Sequence, residues 1–319
     1  MLQYLVILLD DTSTSYCSYE TGSRERHLIP LQTLKDGIRF GMMENLMIQF
    51  VYPDYELSKE YKDAIETIDH SKIVSSLSED ETLRTEANVV IFHEWTGLDN
   101  FPFNSRQAYV LRTTKADLFD RYAFLSNVLS RVARLNIVIT DVETFKDDDF
   151  EVYRNILSAL SRKVEQQYVD EKSPQLNLLT DRMMLTQMNN CGAGDTTVTL
   201  APNGKFYVCP AFYYEDEKDR VGNLEHGLGI KNRQLYKLEY APICRHCDAY
   251  QCRRCIWLNR KLTLEVNTPS REQCVLAHLE RNASRELLLA IRKHGAFMPQ
   301  TEIEEIDYLD PFDKRDTWQ

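Results

Sequence analysis

No stretch of this 319-residue sequence approaches the roughly 20 consecutive apolar residues that a membrane-spanning helix needs. The longest early apolar run, residues 4–9, has no basic leader before it and no small-residue cleavage site after it, so it does not read as a signal peptide. Positive charge is also scarce: Lys and Arg total 38 against 49 Asp and Glu, a formal net charge of −11. That balance argues against a nucleic-acid partner, because phosphate binding draws on clustered cations. Internal repeats and low-complexity tracts are absent too. These absences predict a cytoplasmic protein with neither a membrane nor a nucleic acid as partner.

What remains is ordinary globular composition, 43% apolar and 27% charged, enough for two domains or one large domain with an appendage. Residues 4–9, 47–52, 88–92, 108–111 and 136–140 are short, near-continuous apolar runs rich in Val and Ile, as strands covered on both faces should be. Residues 176–179 add a further candidate. Between them Leu31, Leu34, Ile38 and Met42 stand at helical spacing, as do Phe150, Tyr153, Leu157, Leu160 and Val164, and residues 116–133 also read as helix. Alternating strands and helices predict an α/β fold with parallel strands, either an open partial barrel or a doubly wound sheet. The pattern changes after residue 185. Residues 195–201 and 205–209 flank Pro202-Asn203-Gly204, a strong hairpin signal. Residues 210–243 look irregular. A long helix is predicted from 269 to 294, with Thr268 as its cap, Pro269 at its first position and Gly295 at its end. The tail from 297 is acidic and reads as loosely held.

Cysteine is nearly missing from the first 190 residues, where only Cys17 occurs, and then becomes dense. Cys191, Cys209, Cys244, Cys247, Cys252, Cys255 and Cys274 lie within 84 residues. In a reducing compartment such density reads as metal binding rather than disulfides. Two C-x-x-C pairs suit zinc or iron, since thiolates at that spacing turn toward one centre. Zinc ribbons, however, separate their pairs by about 15–20 residues, whereas Cys247 and Cys252 are four residues apart. The short gap favours ligands sorted to different centres. Four thiolates serve one iron–sulfur cluster, so seven supply one complete [4Fe–4S] cluster and one with an open or substituted position. Zinc remains the alternative. Arg245, Arg253, Arg254, Arg260 and Lys261 crowd the segment, as cations beside an anionic cluster do. A plain solvated basic loop accounts for them equally well.

These residues resemble a SPASM domain, the auxiliary-cluster module attached to radical S-adenosylmethionine (SAM) enzymes that mature peptides. Cys191 is followed by twelve residues, Gly204, four residues and Cys209; Cys244-x2-Cys247 and the final Cys274 also fit that family's pattern. Cys191-Gly192-Ala193-Gly194 and Val221-Gly222-Asn223-Leu224 are typical as well. The two gaps around Cys252 are each one residue short, at x4 and x2. The resemblance implies that Cys191, Cys209 and Cys255 hold one cluster and that Cys244, Cys247, Cys252 and Cys274 hold another. It also implies a degenerate radical-SAM-like partial β/α barrel over 1–185, a SPASM-like module over 186–275 with a hairpin, and a C-terminal helix and acidic tail over 276–319. The family's C-x3-C-x2-C loop would fall at 10–29, which holds Cys17 alone. The Gly-Gly-Glu expected after the second strand is replaced by Tyr52-Pro53-Asp54. One thiolate cannot anchor a [4Fe–4S] centre, so no SAM-binding residues are expected. The chain is similar overall to the CXXX repeat peptide maturases, on the runs 9–15 and 45–55. That similarity implies a cysteine-repeat precursor peptide as partner, together with a true radical SAM enzyme.

Other residues stand where β/α folds place their sites. Asp10, Asp11, His93, Glu94, Asp141 and Glu143 fall at or just past predicted strand ends. His93, Asp10 and Asp141 are the weak catalytic candidates, since such carboxylates are more often helix caps and solvated loops. Cys17 is a candidate ligand or redox thiol, though a lone cysteine is more often a small buried residue. His246 could replace a missing ligand and is more often an outer group. The acidic run 302–307 is more often a solvated face than a docking tail.

Overall fold

The computed structural model describes residues 1–21 and 25–311, so residues 22–24 of the 10–29 loop and the tail end 312–319 lie outside the described residues. Contacts group the chain into two compact units, each built from two stretches: 1–94 with 191–240, and 95–190 with 241–319.

The first unit opens with β1 (Tyr4–Leu8), α1 (Leu31–Met43), β2 (Met47–Val51), α2 (Lys59–Ile65), β3 (His70–Ser75), α3 (Glu81–Glu86) and β4 (Val89–Phe92). The second supplies β5 (Ala108–Thr113), α4 (Lys115–Arg121), α5 (Leu125–Leu129), β6 (Arg134–Ile139), α6 (Asp147–Val169), β7 (Gln175–Leu176) and α7 (Asp181–Met184). The chain then returns to the first unit through β8 (Thr197–Leu200), β9 (Lys205–Tyr207), α8 (Pro210–Glu215), β10 (Gly222–Asn223) and β11 (Gly227–Leu228). It ends in the second with α9 (Ile256–Thr263) and α10 (Arg271–Arg292).

In the first unit the strand order is β11-β10-β9-β8-β1-β2-β3-β4. Strand β1 sits inside this mixed sheet, parallel to β2 on one side and to β8 on the other. Four of its five residues are buried, as a strand with neighbours on both edges and cover on both faces requires. The Asn-Gly hairpin forms as expected: β8 and β9 are antiparallel, with Thr199 opposite Tyr207. Helix α1 approaches the sheet closely because Gly37 and Gly41 present no side chain there; a Cβ on Gly41 would lie 2.6 Å from Ile48.

In the second unit β5, β6 and β7 are parallel neighbours. Helix α6 starts on Asp147, Asp148 and Asp149, whose charges suit a helix N-terminus. The spaced residues Phe150, Tyr153, Leu157, Leu160 and Val164 are all buried along it, and α6 packs against α10.

Several expectations change. Strand β3 was not anticipated, because its first three residues, His70, Ser71 and Lys72, are polar and only its second half is buried. The 176–179 candidate shrinks to β7, since the Thr180 hydroxyl folds back onto the Leu176 amide (2.9 Å) and carbonyl (3.1 Å). The 116–133 helix divides into α4 and α5 at a 3₁₀ turn, Tyr122–Phe124. Helix α10 is capped by Ser270, whose hydroxyl accepts from the Gln273 amide, rather than by Thr268. Residues 210–243 are less irregular than expected, holding α8 and the small β10–β11 pair. No helix of the described residues is long and apolar enough to cross a membrane.

Candidate metal centre

The cysteine-rich segment of the second unit lacks long regular elements, so specific bonds shape it. Cys244 opens a 3₁₀ turn closed by the Cys247 amide on the Cys244 carbonyl (3.1 Å), and a second turn brings the Cys252 amide to the Ala249 carbonyl (2.9 Å). Gln251 Nε2 donates to the Ala277 carbonyl (2.7 Å), fastening the loop to α10. Asp248, just after Cys247, is held by two buried cations. Arg281 Nη2 donates to it at 2.6 Å and its Nε to both oxygens at 3.0 Å, while Arg182 Nη2 donates at 3.3 Å. Burial alone would raise the Asp248 carboxyl, but these guanidiniums outweigh it and leave it below its ordinary value. Arg182 also lies over the Tyr250 ring, 4.2 Å from its centroid.

This scaffold gathers Cys244, Cys247, Cys252 and Cys274 around one cavity of about 280 Å³, whose walls are otherwise largely apolar. Cys274 arrives from the first turn of α10. Burial pushes the Cys244 thiol up to about 11 and the Cys252 thiol up to about 12. Burial also raises Cys247 and Cys274. After burial, Cys252, Cys244 and Cys247 add further to Cys274, so these four groups sit within electrostatic reach of one another. Such a set holds its protons until a cation takes their place, because coordination deprotonates a thiol outright. Arg254, only 3% exposed, lines the same cavity, and its charge favours the Cys244 thiolate. The Ala249 amide lies 3.4 Å from Cys247 Sγ and favours its anion too. Of the other expected cations, Arg245 is exposed and Lys261 pairs with Glu143 at 2.8 Å.

Cys255 caps α9 in this unit and is not among the cavity walls, whereas Cys191 and Cys209 belong to the first unit. His246 is exposed on the cavity rim. His278, which sequence reasoning missed, is buried with its Nε2 3.5 Å from Cys247 Sγ. The Asp248–Arg281–Arg182 cluster was also missed; an acidic residue set among basic ones beside a C-x-x-C pair is the one trace of it in the sequence. Among the described residues, no three His, Cys, Asp or Glu side chains stand close enough around a point to hold a single ion.

In the first unit the 10–29 loop is tied shut at its base. The Ile29 amide donates to the Leu9 carbonyl (2.8 Å), and Asp10 pairs with Leu28 in an antiparallel bridge. Burial raises the Tyr16 phenol well above its ordinary value, and Cys17, Cys209 and Cys191 add to it in that order. Cys17 therefore shares a neighbourhood with the two hairpin cysteines, for which sequence spacing gave no sign. Tyr19 stacks on Tyr214 of α8 at 5.5 Å beside them.

The strand-end residues have local employment. Asp10 is fully buried; Oδ1 accepts from the Thr12 amide (2.7 Å) and hydroxyl (2.6 Å), and Oδ2 from the Tyr55 hydroxyl (2.8 Å). Asp11 lies 3.3 Å from His27 and accepts from the Tyr213 hydroxyl. His93 Nε2 is 2.7 Å from Thr14 Oγ1, and Glu94 is exposed. Asp141, in the second unit, accepts from the Lys115 amide at 2.7 Å.

No protein-family model and no curated protein matches the sequence. Among solved structures the chain is similar to native anSMEcpe with bound AdoMet, at a TM-score of 0.58 and 13% identity over 91% of this chain and 99% of that one. It is similar also to native anSMEcpe with bound AdoMet and Cp18Cys peptide, at 0.57 and 12% over 92% and 100%. At such identities the likeness is one of fold. The relationship to radical SAM peptide maturases that the cysteine spacing implied thus holds for the fold as a whole.

Proposed function

We propose that this chain is a peptide-maturation protein of the radical SAM/SPASM type that lacks the cluster binding S-adenosylmethionine, and that its second unit holds a [4Fe–4S] cluster. The observation that carries this reading is the gathering of Cys244, Cys247, Cys252 and Cys274 with a buried Arg254 around one cavity. That quartet is the set the family resemblance assigns to one cluster. The donor chemistry fits, since four thiolates serve a [4Fe–4S] centre. Spacing favours a cluster over zinc. Tetrahedral zinc with bonds of about 2.3 Å draws its sulfurs to about 3.8 Å of one another. The described side chains are not drawn in so tightly, and a cluster, being larger than an ion, needs its ligands further apart. Such a cluster would brace the segment or relay an electron. The chain's own residues shape its seat: Asp248 fixes the loop, Arg254 offsets negative charge, and the apolar walls exclude water.

On the same reading Cys191, Cys209 and Cys255 hold a second centre, the first 185 residues form the degenerate barrel, and residues 186–275 form the SPASM-like module. The partners are a cysteine-repeat precursor peptide and an active radical SAM enzyme, in the cytoplasm. Support for a peptide comes from the shared fold, one example of which carries Cp18Cys peptide. Support for the lost SAM cluster comes from the 10–29 loop, where Cys17 is the sole cysteine. The test is anaerobic purification with iron, sulfide and zinc analysis. Brown protein with iron and sulfide in cluster proportion, lost in Cys252→Ser, is expected. Colourless protein with stoichiometric zinc overturns the cluster and leaves a zinc-stabilised, non-catalytic peptide scaffold.

A further inference from the structure

The segment after α10 is bound back onto the cysteine cavity. Arg292 starts the return, donating from Nε to the Phe297 carbonyl (3.0 Å) and from Nη2 to those of Met298 (2.5 Å) and Thr301 (2.7 Å). Ile303 is buried to 5% exposure, and Glu305 pairs with Arg285 at 3.0 Å. The Tyr308 ring meets His278 edge-on at 5.3 Å, and Asp310 pairs with Arg271 at 2.9 Å. Tyr308 and Pro311 then form part of the cavity wall itself. His278 joins tail to site. Its Nδ1 lies 2.5 Å from the Leu309 carbonyl, which only accepts, so Nδ1 carries the proton and the Nε2 lone pair faces Cys247.

We propose that residues 301–311 are a closure over the thiol cavity, opening to admit metal and then shielding the loaded centre; this rests on the reading of the four thiols as ligands. A tail that merely braced α10 would have no reason to contribute cavity wall. The anchors suit opening. Arg285 and Glu305 are 29% and 79% exposed, so their attraction is weak and screened by salt. The segment can therefore lift as a local event while the rest of the unit stays folded.

The test uses metal-free full-length protein, N-ethylmaleimide and site-resolved mass spectrometry. In the native sequence Cys247 and Cys274 should label more slowly than exposed Cys191. In the Arg285→Ala/Asp310→Ala double variant they should label about tenfold faster, with Cys191 unchanged, as expected for release of a local closure. Raising salt to about 1 M on the unmutated protein should act in the same direction, which keeps the test open if the variant misfolds. Unchanged Cys247 and Cys274 rates in both experiments overturn the closure. Iron-loaded protein should also lose iron to a chelator faster when the strap is released; equal loss rates overturn the shielding. Protein whose labelling responds but which binds neither iron nor zinc overturns the ligand reading, and leaves the segment as a cover over thiols.

Discussion

At the scale of single residues, the cysteine quartet depends on a carboxylate that is not itself a ligand. Arg281 is completely buried, and Asp248 is its one partner of opposite charge in the bonds described above. Removing that carboxylate leaves a guanidinium in the interior. Asp248→Ala should therefore cost about 2–4 kcal/mol of stability, the range for breaking a partly exposed version of a buried pair, measurable by urea unfolding of the metal-free protein. Asp248→Asn keeps an acceptor and should cost less. The cysteines were legible from sequence because ligand chemistry restricts residue type and spacing. The clamp was not, because Arg182, Asp248 and Arg281 are far apart in the chain and any surface could have held them. Cys17 lay beyond reach for the same reason: its place beside Cys209 depends on how the 10–29 loop folds.

At the scale of elements, α6 meets α10 through Tyr153, whose hydroxyl donates to Glu280 at 2.8 Å. Burial pushes the Glu280 carboxyl up to about 7, against an ordinary value of 4.5. A raised carboxyl contributes its stability in full below about pH 4.5 and loses it as pH climbs through 7, because folding then has to hold a charge that water would hold better. Glu280→Gln keeps the acceptor without the charge. The variant should exceed the native protein in stability above pH 7 by on the order of 2 kcal/mol, with the gap closing toward pH 5; parallel melting curves at both pH values would disprove this. On α1, Gly41→Ala should gain about 1 kcal/mol in helix propensity and lose about 1–3 kcal/mol to overpacking against Ile48 and Leu5. A lowered melting temperature is the expected net result. Elements were readable where burial is uniform, as in β1 or the spaced face of α6. They were missed where it is not: half of β3 is polar, and the 116–133 periodicity continues across a break that only backbone geometry reveals.

At the scale of the whole molecule, loading a resident cluster should stabilise only what touches it. Anything bound solely by the folded state adds to stability by mass action. Hydrogen exchange should therefore slow on loading across 241–283 and stay unchanged across 1–45. Uniform slowing, or none, would count against a centre confined to the quartet. Strand order at this scale was hidden from sequence, because nothing local states that β8 belongs beside β1. That pairing, Tyr4 against Thr197, has a consequence for biosynthesis. At about 5–20 residues per second, a ribosome takes about 10–40 s to travel from the first strand to its second neighbour. For that interval one apolar edge of β1 stands open in the nascent chain, and a chaperone that covers strand edges would have its best opportunity there.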